Sequence, residues 1–180
     1  EAFGWTALRP VLYNTGFFDA YDKVEQAAML NVVSTLGIAA NALCKLPLGI
    51  FLDSYGPRAT SIVGSVMLIG GALMMAWGDK QSVVVQGVAY FCLGASGPFI
   101  QMSCFQFSNL FPLMKTSIIS FMITLFELST GVFYIFNVAN RNLGLGREQL
   151  FTIYTGCGAF TLVTALLLWP DSPYEAPSDE

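Results

Sequence analysis

The sequence has no histidine and few charged residues. Its 180 residues include eight Lys and Arg and twelve Asp and Glu, so 11% of the chain is charged and the net charge is −4. Soluble domains carry about 25% charged residues. Without histidine, the commonest metal ligand and general base are missing, and the scattered basic residues do not form the patch that nucleic acid requires. We therefore expect no metal site, no cofactor and no nucleic-acid partner.

Cysteine is also scarce. Cys44, Cys92, Cys104 and Cys157 include no close pair of the kind found in zinc or redox motifs, and apolar surroundings indicate that they pack as small hydrophobic residues. No pair of acids stands at catalytic spacing, so an enzyme is not expected. No Asn-x-Ser/Thr sequon marks a lumenal loop, and the basic residues divide almost evenly between alternate loops, so they do not fix the orientation.

The sequence is rich instead in long uncharged apolar runs. Hydrophobic residues make up 54% of it, with a mean hydropathy of +0.60, and about 20 apolar residues suffice for a helix that spans a bilayer. The runs predict complete helices near 26–50, 59–78, 82–107, 115–140 and 150–169. Residues 1–13 predict the end of a further helix, because they are too few to cross the membrane. Since the chain starts at Glu1, we expect it to be part of a longer protein.

Three predicted helices carry polar stripes, judged at 100° per residue. The stripe of the 26–50 helix consists of Asn31, Ser34, Thr35, Ile38, Asn41, Ala42 and Lys45, and all of these residues except Ile38 are polar or small. The 82–107 helix has Gln86, Tyr90, Gly94, Gly97, Gln101 and Cys104, and the 115–140 helix has Ser117, Ser120, Thr124, Glu127, Gly131 and Tyr134. Pro98 predicts a kink that frees a backbone carbonyl toward the second stripe. Gly64, Gly71 and Gly78 recur every seven residues and predict close packing of another helix.

Glu127 is the most informative single residue. A carboxyl group at mid-membrane costs about 3 kcal/mol on insertion scales and normally faces a bundle interior or a wet cavity. We interpret it as a contact for a substrate amine or as a proton carrier. The alternative is a structural partner for a basic or hydroxyl group on a neighbouring helix. The other polar residues of the stripes have a similar alternative, since interhelical hydrogen bonds contribute about 0.6 kcal/mol each.

One segment between two predicted helices carries a specific pattern, Gly49-Ile-Phe-Leu-Asp53-Ser-Tyr-Gly56-Pro-Arg58. Gly56 suits a tight turn, Asp53 offers a carboxylate to a helix N-terminus or a cation, and Arg58 stands near enough to pair with Asp53. Such a cluster can latch one conformation and release it in another. The simpler alternative is an ordinary turn between two helices.

This pattern resembles the G-x-L-A-D-R-x-G-R-R/K signature of the major facilitator superfamily, between its second and third helices. Four residues match it: Gly49, Asp53, Gly56 and Arg58. Four others depart from it: Phe51, Leu52, Ser54 and Pro57. Further segments, including Phe105-Gln-Phe-Ser-Asn-Leu-Phe111 and Phe126-Glu-Leu-Ser-Thr-Gly-Val-Phe133, are similar to the branch of sodium-independent large-neutral-amino-acid uniporters. In that branch an aspartate is usual at the position of Glu127.

The resemblance implies the N-terminal six-helix half of a twelve-helix transporter, with residues 1–169 as the transmembrane bundle and 170–180 as an acidic, Pro-rich, disordered linker. It implies a cytoplasmic side for 53–58 and for the linker, and a C-terminal half of the same protein as partner. It also implies that the first and fourth helices line a central cavity, with the fifth beside it. The candidate substrate-binding residues are therefore Trp5, Arg9, Gln86, Tyr90, Gln101, Thr124 and Glu127.

The function predicted from this resemblance is facilitative transport of small organic solutes, chiefly neutral amino acids, across the plasma membrane or an organelle membrane by alternating access. Two alternatives stay open. The first is a proton-coupled carrier of another small solute, in which Glu127 carries the proton. The second is a six-helix membrane scaffold or assembly protein that transports nothing, in which the polar stripes serve only helix association.

Overall fold

The computed structural model describes residues 4–172. In that range the chain is helical and contains no strand. Seven α-helices follow one another: α1 (Trp5–Asn14), α2 (Lys23–Leu43), α3 (Lys45–Trp77), α4 (Val83–Phe105), α5 (Lys115–Leu128), α6 (Gly131–Leu143) and α7 (Arg147–Leu168). Short 3₁₀ turns at Gln106–Leu110 and Pro112–Met114 connect α4 to α5.

Five helical segments of the described chain are long and apolar enough to span a membrane. They are Lys23–Leu43, Lys45–Trp77, Val83–Leu110, Pro112–Leu143 and Arg147–Leu168. Helix α1 has ten residues, about 15 Å at 1.5 Å per residue, which is half of the hydrocarbon thickness. The prediction of an all-helical membrane protein with five complete spans is therefore confirmed, whereas the six-helix bundle of the predicted family stays a prediction.

The second predicted helix, 26–50, corresponds to α2 and the first part of α3. Backbone hydrogen bonds run on through Cys44, from Cys44 N to Ala40 O and from Leu48 N to Cys44 O, both 3.0 Å. The interruption at Cys44 has a local cause, since Pro47 has no N–H to donate to the carbonyl four residues earlier. The true break comes at Gly56, whose φ of 77° and ψ of 173° lie outside the helical region inside α3. The turn expected over 53–58 is therefore concentrated at one glycine.

The fourth of these spans, Pro112–Leu143, is also broken, at a place not predicted from the sequence. Between α5 and α6 the hydrogen bonds shorten to an i→i−3 pattern, from Thr130 N to Glu127 O and from Val132 N to Ser129 O, both 3.1 Å. The Ser129 hydroxyl also donates to Phe126 O at 2.6 Å and the Thr130 hydroxyl to Glu127 O at 2.8 Å. Hydroxyl groups that compete for helical carbonyls tend to bend helices, so this break directly follows Glu127.

Helix packing is organised around α4. Helix α4 lies against α2 on one side and against α3 on the other, α3 also packs on α7, and α1 packs on α6. The glycines of α3 confirm their predicted role, because a Cβ added at Gly64 would lie 2.8 Å from the Phe99 Cβ and one at Gly71 would lie 2.7 Å from the Ala89 carbonyl oxygen. Small residues thus let α3 approach the backbone of α4.

The structure describes the first residues of the predicted linker, 170–180. Asp171 forms an ion pair with Arg58 at 2.8 Å. Its backbone also touches Gly56, where any added Cβ would overlap the Asp171 carbonyl. The start of the segment is therefore held by an arginine of α3, and the disordered linker stays a prediction. Residues 173–180 lie outside the described part of the chain.

Candidate functional site

The predicted substrate residues on α1 and the first half of α4 lie in the protein core. Trp5 and Tyr90 are 8% and 1% exposed, and their rings meet edge to face with centroids 4.9 Å apart. Gln86 is fully buried in the first turn of α4, where its Nε2 donates to Asp79 O at 2.9 Å. Arg9 is half-buried, with its guanidinium 5.6 Å from the centre of the Tyr13 ring. Trp5 and Tyr90 thus join α1 to α4, and Gln86 holds the turn between α3 and α4.

The carbonyl that Pro98 is predicted to free has a partner on α2. Pro98 has no N–H, so the carbonyl of Gly94, four residues earlier, lacks its helical donor. Asn41 Nδ2 on α2 donates to Gly94 O at 3.4 Å. The two helices can come this close because Gly37 and Gly94 face each other, and a Cβ on Gly94 would overlap the Gly37 backbone. The polar stripe of α2 therefore contributes an amide to a backbone carbonyl exposed by proline.

Gln101 lies beyond Pro98 and lines a cavity between α4 and α5. The cavity has a volume of about 420 Å³ and its walls include Ile100, Gln101, Cys104, Met122, Leu125 and Phe126. Phe107, also on its wall, stacks on Trp169 with ring centroids 4.7 Å apart. Gln101 is about 22 Å along the helix axis from Gln86, given 1.5 Å per residue. The two glutamines of one predicted stripe therefore belong to different environments.

Glu127 lies in the middle of the fourth span, Pro112–Leu143. Glu127 and Thr124 are exposed, and at 100° per residue they project from the side of α5 opposite to Phe126 and the cavity. The Thr124 hydroxyl donates to Ser120 O at 2.9 Å, whereas the Glu127 carboxylate has no hydrogen bond or ion pair with any described residue. The structure therefore does not bring Glu127 and Gln101 to one cavity.

The pattern at 49–58 forms a different contact from the one predicted. Gly49 and Asp53 are exposed, and Asp53 does not pair with Arg58. The Arg58 guanidinium instead donates from Nη1 to Asp171 Oδ1 and from Nη2 to Leu166 O, both at 2.8 Å. The expected Asp53–Arg58 pair is thus wrong for this conformation, because the C-terminal carbonyls of α7 and the carboxylate that follows them attract the guanidinium. We call these two bonds the Arg58 clamp.

A second arginine, which the sequence analysis did not single out, makes the corresponding contact at the other end of the same helices. Arg147 begins α7 and its Nη2 donates to Gly78 O, at the end of α3, at 3.0 Å. Its guanidinium also lies 5.1 Å from the centre of the Phe17 ring. We call this the Arg147 clamp. A usable sequence signal existed, since Arg58 and Arg147 each stand just before one of the long uncharged runs.

Several polar groups surround the Arg147 clamp. Lys80 Nζ lies 3.8 Å from Asp19 Oδ2, and Gln26 Nε2 donates to Phe17 O at 2.6 Å. Among the described residues, three buried side-chain atoms have no hydrogen-bond partner, namely Gln81 Oε1, Gln86 Oε1 and Arg147 Nη1. No group of three acidic or cysteine side chains in the described range could hold a metal ion. The chemistry available at this end is therefore hydrogen bonding and charge pairing.

No family model matches the chain. It is similar to Protein FMP42 of Saccharomyces cerevisiae, with 30% identity over 189 residues that cover 96% of this chain and 37% of that protein. It is also similar to the large neutral amino acids transporter small subunit 3 of Homo sapiens, with 22% identity over 201 residues, 98% of this chain and 35% of the relative. A further relative is the equilibrative nucleobase transporter 1 of Bos taurus, with 22% identity over 194 residues, 98% of this chain and 40% of the relative.

The chain thus spans between 35% and 40% of the length of these relatives. Two of the three are named as transporters, and none is named as an enzyme. Together with five helices of spanning length, this similarity indicates an integral, multi-pass membrane protein. The names of the relatives point to two different solutes, an amino acid and a nucleobase, so they do not decide the substrate.

Proposed function

We propose that the chain is one six-helix half of a major-facilitator-type carrier that moves neutral amino acids across the plasma membrane by facilitative, alternating access. In this proposal α1 is the end of the first helix, and α5 with α6 forms the fifth. The C-terminal half of the same protein supplies the opposite wall of the substrate site. Two bundles then rock about a site near the middle of the membrane.

The observation that carries this proposal is the reciprocal contact between residues 57–77 and α7. Arg58, at the start of 57–77, bonds the end of α7. Arg147, at the start of α7, bonds the end of 57–77. Helix α2 also packs on α4 and α1 on α6, so each of the first three helices of the proposed bundle contacts one of the next three. Three helices related in this way to the next three are what an inverted repeat produces, and such repeats are typical of secondary transporters.

The exposed face of α5 supports a solute path next to this half. A carboxylate at the centre of a span does not face lipid at low cost, so the side of α5 that carries Thr124 and Glu127 requires water or a polar partner. In our proposal the Glu127 carboxylate accepts the ammonium group of the amino acid. Arg9, backbone amides near Pro98 or groups of the C-terminal half meet the substrate carboxylate.

Uptake by the complete polypeptide tests the proposal. Cells that produce it should accumulate labelled leucine down its gradient, with labelled adenine measured in parallel because one relative is named for nucleobases. Glu127→Gln should reduce leucine uptake by about tenfold, since it removes the charge that pairs with the ammonium group. Glu25→Gln, at an exposed position in the first turn of α2, serves as the matched acid-to-amide control and should leave uptake unchanged.

Two results would replace this proposal. If uptake rises with an imposed proton gradient and Glu127→Gln abolishes that rise, the protein is a proton-coupled carrier and not a uniporter. If the protein transports no solute, and replacing Gln101 or Glu127 lowers only its stability or its amount in the membrane, the scaffold alternative is correct. Adenine uptake without leucine uptake would contradict the substrate class while leaving the transporter assignment in place.

A further inference from the structure

Two pockets adjoin at the end of the bundle that holds the Arg147 clamp. The first, of about 440 Å³, lies among the α1–α2, α3–α4 and α6–α7 connections and is lined by Thr15, Lys80, Gly146, Arg147, Glu148 and Gln149. The second, of about 480 Å³, lies between the end of α3 and the start of α7, and its wall includes Trp77, Leu145, Thr152 and Ile153. Glu148 and Gln149 line both pockets, so a single ligand can occupy the two together.

The junction of the two pockets lies where two spans meet the membrane boundary. The α3 span ends at Trp77 and the α7 span begins at Arg147. Trp77 is 66% exposed, and tryptophan is enriched at the level of the lipid headgroups. Ile153, which is also exposed, lies about 9 Å further along α7 than Arg147, given 1.5 Å per residue. The second pocket therefore runs from the headgroup level into the hydrocarbon.

The first pocket offers both signs of charge to a ligand. The Arg147 guanidinium bonds Gly78 O through Nη2, whereas its Nη1 has no hydrogen-bond partner among the described residues. Lys80 Nζ is 3.8 Å from Asp19 Oδ2, which is too long for a hydrogen bond. Glu148 forms no ion pair within the described range. Two cations with free donors and one free carboxylate match a zwitterion whose anion and cation are a few bonds apart.

We propose that the two pockets together bind one phospholipid with an amine-bearing headgroup, of which phosphatidylethanolamine is the simplest. Its phosphate accepts hydrogen bonds from Lys80 and Arg147, and its ammonium group donates to Glu148. One acyl chain lies along Trp77 and Ile153. An anionic headgroup has no cation for Glu148, and a choline headgroup has no N–H to donate to it, so both bind less well.

The Arg58 clamp, at the opposite end of the same helix pair, shows what a comparable arginine does without such a site. Both terminal nitrogens of the Arg58 guanidinium are bonded, Nη1 to the Asp171 carboxylate and Nη2 to Leu166 O. Asp171 therefore holds the place that a lipid phosphate takes beside Arg147. We expect selective lipid binding at the Arg147 end and none at the Arg58 end.

Photo-crosslinking tests the lipid site. The complete polypeptide is purified in detergent, freed of lipid and mixed with a phosphatidylethanolamine that carries a photoreactive diazirine in one acyl chain. Mass spectrometry of the peptides should find the label concentrated at Trp77 and in residues 145–153. Unlabelled phosphatidylethanolamine should compete at about fivefold lower concentration than phosphatidylcholine or phosphatidylglycerol, since an exposed ion pair contributes up to about 1 kcal/mol.

Substitutions separate the two parts of the headgroup. Glu148→Lys should make phosphatidylglycerol the better competitor, and the milder Glu148→Gln should abolish the preference without reversing it. Lys80→Gln should weaken all three phospholipids by about threefold, because they share the phosphate. Lys23→Gln is the matched control, since Lys23 is an exposed lysine at the same end of the bundle and lines neither pocket. Thermal unfolding of each lipid-free variant shows whether it is folded.

Label confined to the second pocket, with a preference for phosphatidylethanolamine that Glu148→Gln removes, supports the site. Label spread evenly over the exposed helix faces, or equal competition by the three phospholipids, shows contact with bulk lipid only and overturns it. Glycerophosphoethanolamine has the headgroup without acyl chains. If it competes as well as the intact lipid, the first pocket binds the headgroup alone and the two-pocket proposal is wrong.

Discussion

The Arg58 clamp gives a prediction that can be measured without knowledge of the substrate. Arg58→Met removes the ion pair to Asp171 and the bond to Leu166 O. The side chains of Arg58 and Asp171 are 35% and 84% exposed, so solvent screens the ion pair and it is worth at most about 1 kcal/mol. The bond to a carbonyl at a helix end is charge-assisted, and such bonds contribute about 1.5–3 kcal/mol, with partial exposure favouring the lower value. We expect a loss of about 2 kcal/mol.

A double-mutant cycle isolates the ion pair. Arg58→Met, Asp171→Asn and the double variant are compared by unfolding of the purified complete polypeptide, followed by tryptophan fluorescence. The expected coupling is about 0.5–1 kcal/mol, and it should fall at high salt because exposed charges are screened. Arg58→Met combined with Asp53→Asn is the matched control and should be additive within about 0.3–0.5 kcal/mol. Stronger coupling of Arg58 to Asp53 than to Asp171 would refute the reasoning and restore the pairing expected from the sequence.

Three further predictions concern the packing. Asn41→Leu should destabilise the protein by about 1 kcal/mol, because it leaves Gly94 O without a donor. In a Pro98→Ala background, which restores a helical N–H donor to Gly94 O, the loss should be smaller. An equal loss of stability in both backgrounds would contradict the role given to Pro98. Gly37→Val should abolish folding, since any Cβ there overlaps the Tyr90 ring. Gly70→Val should be tolerated, because Gly70 has open space around it. The amount of each variant in the membrane fraction checks both expectations. Arg147→Met should lower stability by about 2 kcal/mol and depend less on salt than Arg58→Met, because Arg147 bonds a carbonyl and an aromatic ring, whereas the carboxylates of Glu148 and Asp79 act on it without an ion pair. A salt dependence as steep as that of Arg58→Met would contradict this difference between the two clamps.

Much of the architecture was predictable from local patterns. Uncharged apolar runs place the spans because lipid excludes unpaired charge along the length of a helix. Pro98 predicts a freed carbonyl because proline always lacks a donor, and the structure shows that carbonyl bonded by Asn41. Gly56 predicts a turn because glycine adopts positive φ at low cost, and its φ is 77°. Each of these inferences depends on one residue and its nearest neighbours in sequence.

The partners of charged residues were not predictable in the same way. Arg58 had an acid five positions away, Asp53, and the sequence favoured that local pair. Its partner in the structure, Asp171, is 113 residues distant and becomes a neighbour only when α7 packs on α3. Arg147 was overlooked because its acceptor is a backbone carbonyl, which side-chain patterns do not identify, although its place just before an uncharged run was a usable signal. The break at 129–130 does have a local signal in consecutive hydroxyl residues, which a closer analysis of Ser129 and Thr130 would detect.

The polar stripes show why periodicity alone does not define a site. Those of α4 and α5 look alike in sequence, yet α1, α2 and the α3–α4 turn cover the first half of the α4 stripe, while most of the α5 stripe is exposed. Polar residues at the α2–α4 contact therefore satisfy each other, as Asn41 satisfies Gly94. Glu127 has no such partner among the described residues, and a bare carboxylate at the centre of a span is stable only beside water or a polar group. Water, a polar solute or a polar partner is thus expected on the exposed side of α5.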